Sequence, residues 1–347
     1  MADVSENKRN ILPVEQVCQV SWRMMAVTIL AVLLSSVVLN ETVKVLLRRH
    51  PALNNTTYVV FMEQWERLTD LEEPVDTLIL GDSSGYHGVD PEILADALGG
   101  YSLNLCTFGD AALINPVWQL ETYLERHGAP HRVILVAVHD LWIRDLSTPL
   151  IPKVPLPWGF WQRSRASWPF ERAELWDVFV AHHIPVYSQD KTITRRLMYP
   201  WRIRNRPQRS SPRGFYPLQK AEPEKTVQDG ANHLRKTAPR GWNISEQSHV
   251  ALEAIIALAD ENGFDFYIAN SPQLAGMVND PAFGQYYTKG QQVLADLVAV
   301  SPRAHLILSP PAEYPPQLMQ NSDHIVQEAV DDFTRRVAAG VAACEGQ

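Results

Sequence analysis

The stretch Arg132–Val138 (RVILVAV) carries no polar side chain after its first residue, and it limits the fold more than any other feature of the chain. A strand with one wet face alternates polar and apolar residues. An unbroken apolar run of this length suits a strand covered on both faces, as at the centre of a parallel sheet. Four shorter runs read the same way: Asp76–Leu80 (DTLIL), Ser102–Cys106 (SLNLC), Phe264–Ala269 (FDFYIA) and His305–Leu308. Helical patterns fall between and after them. One runs over Ile93–Leu98, opened by an Asp90-Pro91 cap, and others over Asn115–His127, Ser245–Asn262, Gln285–Val300 and Ile325–Ala343. Strands interleaved with helices predict an α/β fold, a parallel sheet of about five strands with helices on both faces.

The length, 347 residues, allows one large domain or two modest ones. With 46% apolar and 20% charged residues the chain reads as globular, and a net charge of -8 argues against nucleic acid as a partner. Cys18, Cys106 and Cys344 are far apart and lack metal-ligand spacing, so the sequence indicates no zinc site, no disulfide framework and no cofactor.

Met24–Leu39 (MMAVTILAVLLSSVVL) is sixteen residues without a charge, and apolar character resumes from Val43 to Leu47. With Lys44 snorkelling, that is long enough for a single membrane crossing. No small-residue cleavage site follows, which favours an uncleaved anchor, while a buried core helix remains the alternative. Lys8, Arg9 and Arg23 before the run and Lys44, Arg48 and Arg49 after it leave the orientation undecided. The expected organisation is a tail over 1–23, a transmembrane segment over 24–47, a linker or helix over 48–74, and a domain over 75–343. That domain holds an irregular insertion at 143–240.

The first strand ends in Gly81-Asp82-Ser83-Ser84-Gly85, a serine at the carboxyl end of a parallel strand, where open α/β sheets bind ligands. Alone, this spelling also describes an ordinary strand-to-helix turn with Ser as a cap. The Lys-Ser/Thr of a phosphate loop is missing. An activated serine needs a base and donors for the oxyanion. Gly109, in Asn104-Leu105-Cys106-Thr107-Phe108-Gly109-Asp110, follows the second strand, and His324 follows Asn321-Ser322-Asp323 just before the last helix. Asp82 reads as orienting the nucleophile turn through backbone hydrogen bonds, and His87 as a loop or rim residue.

On these residues the chain resembles the SGNH/GDSL hydrolase superfamily, whose fold is a three-layer, flavodoxin-like sheet. It looks most like the membrane-anchored branch that includes DltD-like and alginate-acetylation (AlgJ/AlgX-like) proteins. The carriers are GDSxxxxxxDP from Gly81 to Pro91, the post-strand Gly109, and HI-x-x-x-A-x-x-x-F-T from His324 to Thr334. The resemblance implies Ser83 as nucleophile, His324 as base, and Gly109 with the Ser83 N–H in the oxyanion hole. Two departures stand out. The acidic partner three residues before the His is here Asn321, with Asp323 adjacent to the His as a substitute if the turn aims it at the ring. The third block reads Val138-His139-Asp140-Leu141-Trp142, where His139 is either an oxyanion donor or a structural histidine.

The insertion holds eight basic residues from Lys191 to Arg213 with no acidic residue among them, and Trp142, Trp158, Trp161, Trp168, Trp176 and Trp201 lie in or beside it. Three readings are open: a groove for an anionic glycan built on Arg202, Arg204 and Trp201, contact with headgroups or a membrane partner, or a solvated basic loop. The functional expectation is an extracytoplasmic, periplasmic O-acyltransferase or O-acyl esterase acting on an exported or cell-envelope polysaccharide. The resemblance also implies a multipass membrane O-acyltransferase as partner. A catalytically degenerate scaffold or glycan-binding component is the main rival, and a simple lipase or thioesterase the third reading.

Overall fold

A computed structural model describes residues 21–49, 56–167, 170–184, 186, 210–237 and 241–346. The chain divides into two compact units, Met1–Arg49 and His50–Gln347.

The described residues of the first unit form one helix, Trp22–Arg49, of which Trp22–Leu46 is long and apolar enough to cross a membrane. Its 25 residues span about 37 Å at 1.5 Å per residue, against a hydrocarbon core of about 30 Å. The large apolar side chains from Trp22 to Leu39 are exposed, which excludes the buried-core alternative and leaves a membrane anchor or a signal sequence. The hydroxyls of Thr28, Ser36 and Thr42 donate to the carbonyls of Met24, Val32 and Val38, so these three are satisfied inside the helix. Glu41 and Lys44 pair at 2.6 Å where apolar character breaks.

In the second unit β1 (Thr77–Gly81), β2 (Ser102–Asn104), β3 (Arg132–Ala137), β4 (Asp265–Asn270) and β6 (Ala304–Ile307) form a parallel sheet in the order β2-β1-β3-β4-β6. Two-residue strands β5 (Gln273–Leu274) and β7 (Glu313–Tyr314) make a separate ladder. The side chains of β1 and β2 are buried throughout, and those of β3 and β4 after their first residue, as unbroken apolar runs require. The chain steps from β1 to β2 in one direction and then past β1 to β3 in the other. Right-handed crossovers therefore put the helices on opposite faces. Ile114–His127 packs against Glu246–Asn262, while Gln327–Glu345 packs against Pro91–Leu98 and Ser83–Gly88. This is the expected three-layer α/β fold with flavodoxin-like strand order.

Thr56–Thr69 buries Phe61, Trp65 and Leu68 in the same core, and Trp65 Nε1 donates to Asn115. Asp90 caps Pro91–Leu98 as its Asp-Pro spelling indicates, accepting from the Glu92 N–H. The same spelling at Asp280-Pro281 starts the next helix four residues earlier than its apolar pattern suggests; Asp280 accepts from the Ala282 and Phe283 N–H groups. The insertion is less irregular than its composition. It contains 3-10 turns at Leu141–Ile143, Thr148–Lys153 and Phe160–Gln162, and helices at Arg172–His183 and Pro223–Thr237. Trp142 and Trp161 are core residues, whereas Trp158 and Trp176 are exposed. Trp168, Trp201, Arg202 and Arg204 lie outside the described residues, as do Cys18 and the basic residues from Lys191 to Arg209.

Candidate active site

The strand order reverses at β1, between β2 and β3, and in open α/β sheets the ligand crevice lies at the carboxyl ends of the strands at such a point. Gly81 ends β1 at φ +134°, and a Cβ there would collide with the Val136 carbonyl oxygen of β3, so only glycine fits the turn. Asp82 caps Ser83–Gly88. One carboxylate oxygen accepts from the Ser84 N–H at 2.8 Å and the Ser84 hydroxyl at 2.6 Å, and the other from the Val138 N–H at 2.8 Å. These bonds fix the turn to the end of β3 and occupy Ser84, which is fully buried. Ser83 is left half-buried at the first position of the helix, its hydroxyl free to face the crevice.

His324 meets it there, with Nε2 at 2.8 Å from Ser83 Oγ. The other ring nitrogen, Nδ1, faces two oxygens: Asp323 Oδ1 at 2.5 Å and Asn321 Oδ1 at 2.9 Å. Asn321 Oδ1 also accepts the Asp323 N–H at 3.1 Å, which identifies that atom as the amide oxygen. Facing two acceptors, Nδ1 must carry the proton, and Nε2 is then the lone pair that accepts from Ser83. The turn is pinned by the Gln320 N–H donating to the His324 carbonyl and by a bridge between Met319 and Ile325. Asp323, adjacent to the histidine, is thus aimed at the ring, and Asn321 shares the position.

Electrostatics follow from this contact. Burial works against the Asp323 charge, but the neighbouring His324 and the hydrogen bond to it hold the carboxyl well below the usual range. Burial likewise works against imidazolium at His324. Asp323, with smaller contributions from Asp82 and Asp229, more than offsets it and raises the His324 pKa above its ordinary value. Asp82 moves the other way, since burial outweighs its three hydrogen bonds and raises its pKa.

Gly109 arrives by an extension of the β2–β1 pairing. Leu105 N–H donates to Ile79 O at 2.8 Å and Thr107 N–H to Gly81 O at 2.9 Å, leading the chain to the crevice. Gln64 and Gln119 hold the Cys106 and Leu105 carbonyls, and Asn104 donates to the Gly85 and Val89 carbonyls at the far end of Ser83–Gly88. Gly109 then opens a 3-10 turn, Gly109–Ala111, in which Gly109 and Ala111 are buried and Asp110 is exposed.

His139 lies in an aromatic nest of Phe283, Tyr286 and the His233 ring, buried, with its pKa lowered to about 4 by burial. Its charge would be felt by Asp323, more weakly than those of His324 and His233. His87 is not a rim residue. It is buried against the His324 ring at 5.6 Å and donates from Nδ1 to the Tyr216 carbonyl at 2.6 Å. Burial first, and the charge of His324 second, lower its pKa to about 3, so it stays neutral.

Two contributions escaped the sequence reading. Asp229, on the insertion helix Pro223–Thr237, accepts from the Ser322 N–H at 3.1 Å and its hydroxyl at 2.8 Å, holding the turn that carries His324. Arg144, paired to Asp140 at 2.6 Å, lays its guanidinium against Gly109. Nothing in the local spelling marks either one, because each acts across the fold. Among the described residues no cluster of His, Cys, Asp and Glu has the arrangement of a metal site.

No protein-family model and no curated protein matches the chain. Among solved structures it is similar to a carbohydrate esterase family 2 enzyme with a carbohydrate-binding domain from Corynascus thermopiles (Myceliophthora fergusii). The match is 13% identical with a TM-score of 0.34, over 80% of this chain and 68% of that one.

Proposed function

We propose that the chain is a membrane-anchored serine O-acyltransferase or O-acyl esterase that modifies an exported or cell-envelope polysaccharide through an acyl-serine intermediate. The observation that carries the reading is the hydrogen-bonded line Ser83–His324–Asp323, with Asn321 as second acceptor. In the forward step Ser83 Oγ bonds to the acyl carbonyl carbon while its proton passes to His324 Nε2. The tetrahedral intermediate places negative charge on the former carbonyl oxygen, met by the Gly109 and Ser83 N–H groups. It collapses by breaking the bond to the donor's leaving group, which takes the proton from His324. A sugar hydroxyl, or water in an esterase, then loses its proton to His324 as it attacks the acyl-serine. The second collapse returns that proton to Ser83 Oγ.

The rival reading, a binding component without chemistry, drew its support from Asn321 in the acidic position. With Asp323 at the same nitrogen that support falls away. The apolar helix Trp22–Leu46 supports the anchored part of the reading, and the polysaccharide acceptor and multipass acyltransferase partner follow from the sequence resemblance.

The test is fluorophosphonate labelling of the full chain in detergent micelles, with the modified peptide located by mass spectrometry. Labelling at Ser83 that disappears in Ser83→Ala and His324→Ala is the expected result. A folded chain that stays unlabelled would overturn the reading.

A further inference from the structure

On the assumption that Ser83 is the nucleophile, we propose that the guanidinium of Arg144 is a third donor to the oxyanion, beside the Gly109 and Ser83 N–H groups.

The side chain is held against the glycine that would serve that position. Arg144 Nη2 donates to Asp140 Oδ2 at 2.6 Å, and the other terminal nitrogen, Nη1, lies against Gly109, so near that a Cβ on Gly109 would clash with it. The backbone beneath is anchored as well, since the Arg144 carbonyl accepts from the Ser245 and Ser248 hydroxyls at 3.2 and 3.3 Å. Asp140 binds with one oxygen only; the second, Oδ1, is buried and without a partner among the described residues. A structural Arg–carboxylate pair tends to close as a two-bond fork. Here the fork is split, one arm held by Asp140 and the other turned to the glycine whose N–H serves the oxyanion. The Arg144 side chain is 37% exposed, so the crevice can reach it.

The wider field agrees. Burial disfavours the Arg144 charge, and Asp140, then Asp82 and Asp323, restore it. Asp82 and Asp323 are the carboxylates that hold the nucleophile turn and the base, so the cation is felt at both. A fixed cation at that place is matched to an anion that exists only in the transition state. The stretch after β3 offers no Asn or Gln amide for this work between Val138 and Arg144, and Arg144 is the side chain from that stretch that reaches Gly109.

The test uses the full chain in detergent, with an aryl acetate as substrate and a boronic acid as the probe that forms a tetrahedral adduct on serine. Removing one oxyanion donor costs about 10²–10³ in turnover. Arg144→Gln is therefore expected to lower kcat by that factor, to leave KM nearly unchanged, and to weaken the boronate by a matching factor. Arg144→Lys, which keeps the charge without the fork, should fall between, and Asp140→Asn, which leaves the guanidinium in place, should lose about tenfold or less. Equal losses in Arg144→Gln and Asp140→Asn with a raised KM would overturn the proposal, since the pair would then only hold the turn. Unchanged turnover in folded Arg144→Gln would overturn it too. If the wild-type chain takes no fluorophosphonate at Ser83, the serine reading itself fails and this proposal with it. Labelled wild type with an indifferent Arg144→Gln sinks the Arg144 role alone.

Discussion

Asp323→Asn isolates what the carboxylate does for His324, because Asn321 remains to accept the Nδ1 proton. The ring nitrogen and the Asp323 oxygen are 2.5 Å apart in the present structure. Once Ser83 gives up its proton, imidazolium and carboxylate face each other with charge centres roughly 4 Å apart, which at an effective dielectric constant of about 20 gives about 4 kcal/mol. At about 1.4 kcal/mol per factor of ten, the loss is about three decades in the rate of acylation. It should stop short of the roughly 10⁴ that accompanies a reversed tautomer, since Asn321 Oδ1 keeps the proton on Nδ1. The assay is the second-order rate of fluorophosphonate labelling at Ser83, followed against pH. His324 must be neutral to act as base, and Asp323 raises its pKa above the ordinary 6.5, so the wild-type rate should climb through a limb above that value. In Asp323→Asn the limb should move to lower pH while the plateau falls. A loss under about tenfold with an unmoved limb, set beside a loss of about 10³ in Asn321→Ala, would refute the reasoning: Asn321 would then be the partner that matters.

Three further outcomes follow from neighbouring contacts. His87 has a folded pKa of about 3 against an ordinary 6.5, so on acidification the unfolded chain binds this proton first. The stability present above pH 6.5 is then lost by about 1.4 kcal/mol per unit as pH falls, and His87→Gln should flatten the decline of the melting temperature between pH 6.5 and 5. Gly85→Ala would bring a methyl to 2.6 Å from Cys106 Sγ and 2.9 Å from Val136 Cβ, an overpacking cost of about 1–3 kcal/mol readable by thermal denaturation. Asp229→Ala frees the Ser322 N–H and hydroxyl and should slow Ser83 labelling about tenfold through loss of the turn's aim, with the pH limb shifted slightly down because Asp229 also supports the His324 charge.

The sheet was legible because its signals are local. RVILVAV can be covered on both faces or not be a strand at all, and Asp90-Pro91 caps a helix wherever it occurs. The two insertion helices were not legible for the opposite reason. Arg172–His183 keeps one buried residue, Val178, and has no apolar stripe to read. Pro223–Thr237 fully buries only Thr226, Gly230 and Thr237, with Leu234 packed partly buried against the core, so most of its contact face is small or polar and composition does not flag it. Arg172–His183 is placed by what it packs against, and periodicity carries no record of that, whereas the sides of Pro223–Thr237 do segregate at helical spacing.

The candidate site divides along the same line. Ser83 stands two residues past β1 and Gly109 five past β2, so the strand assignments lead both toward one edge of the sheet. Asp323 could not be read that way: in a helix the residue three back shares the His324 face and the adjacent one does not, and in a strand the adjacent one points to the opposite face. Between Met319 and Ile325 the chain is neither. Asn321 bends it by accepting the Asp323 N–H, and the bend swings the adjacent carboxylate onto the same nitrogen. Asn321 thus serves the site twice, as second acceptor and as the residue that makes Asp323 the first. The insertion clamps that bend from outside, Asp229 on Ser322 and the Thr226 hydroxyl on the Met319 carbonyl, while the Tyr216 carbonyl holds the neutral His87 beside the base. The insertion is therefore structural support for His324, and shortening it between 218 and 237 should slow fluorophosphonate labelling of Ser83 before it unfolds the sheet.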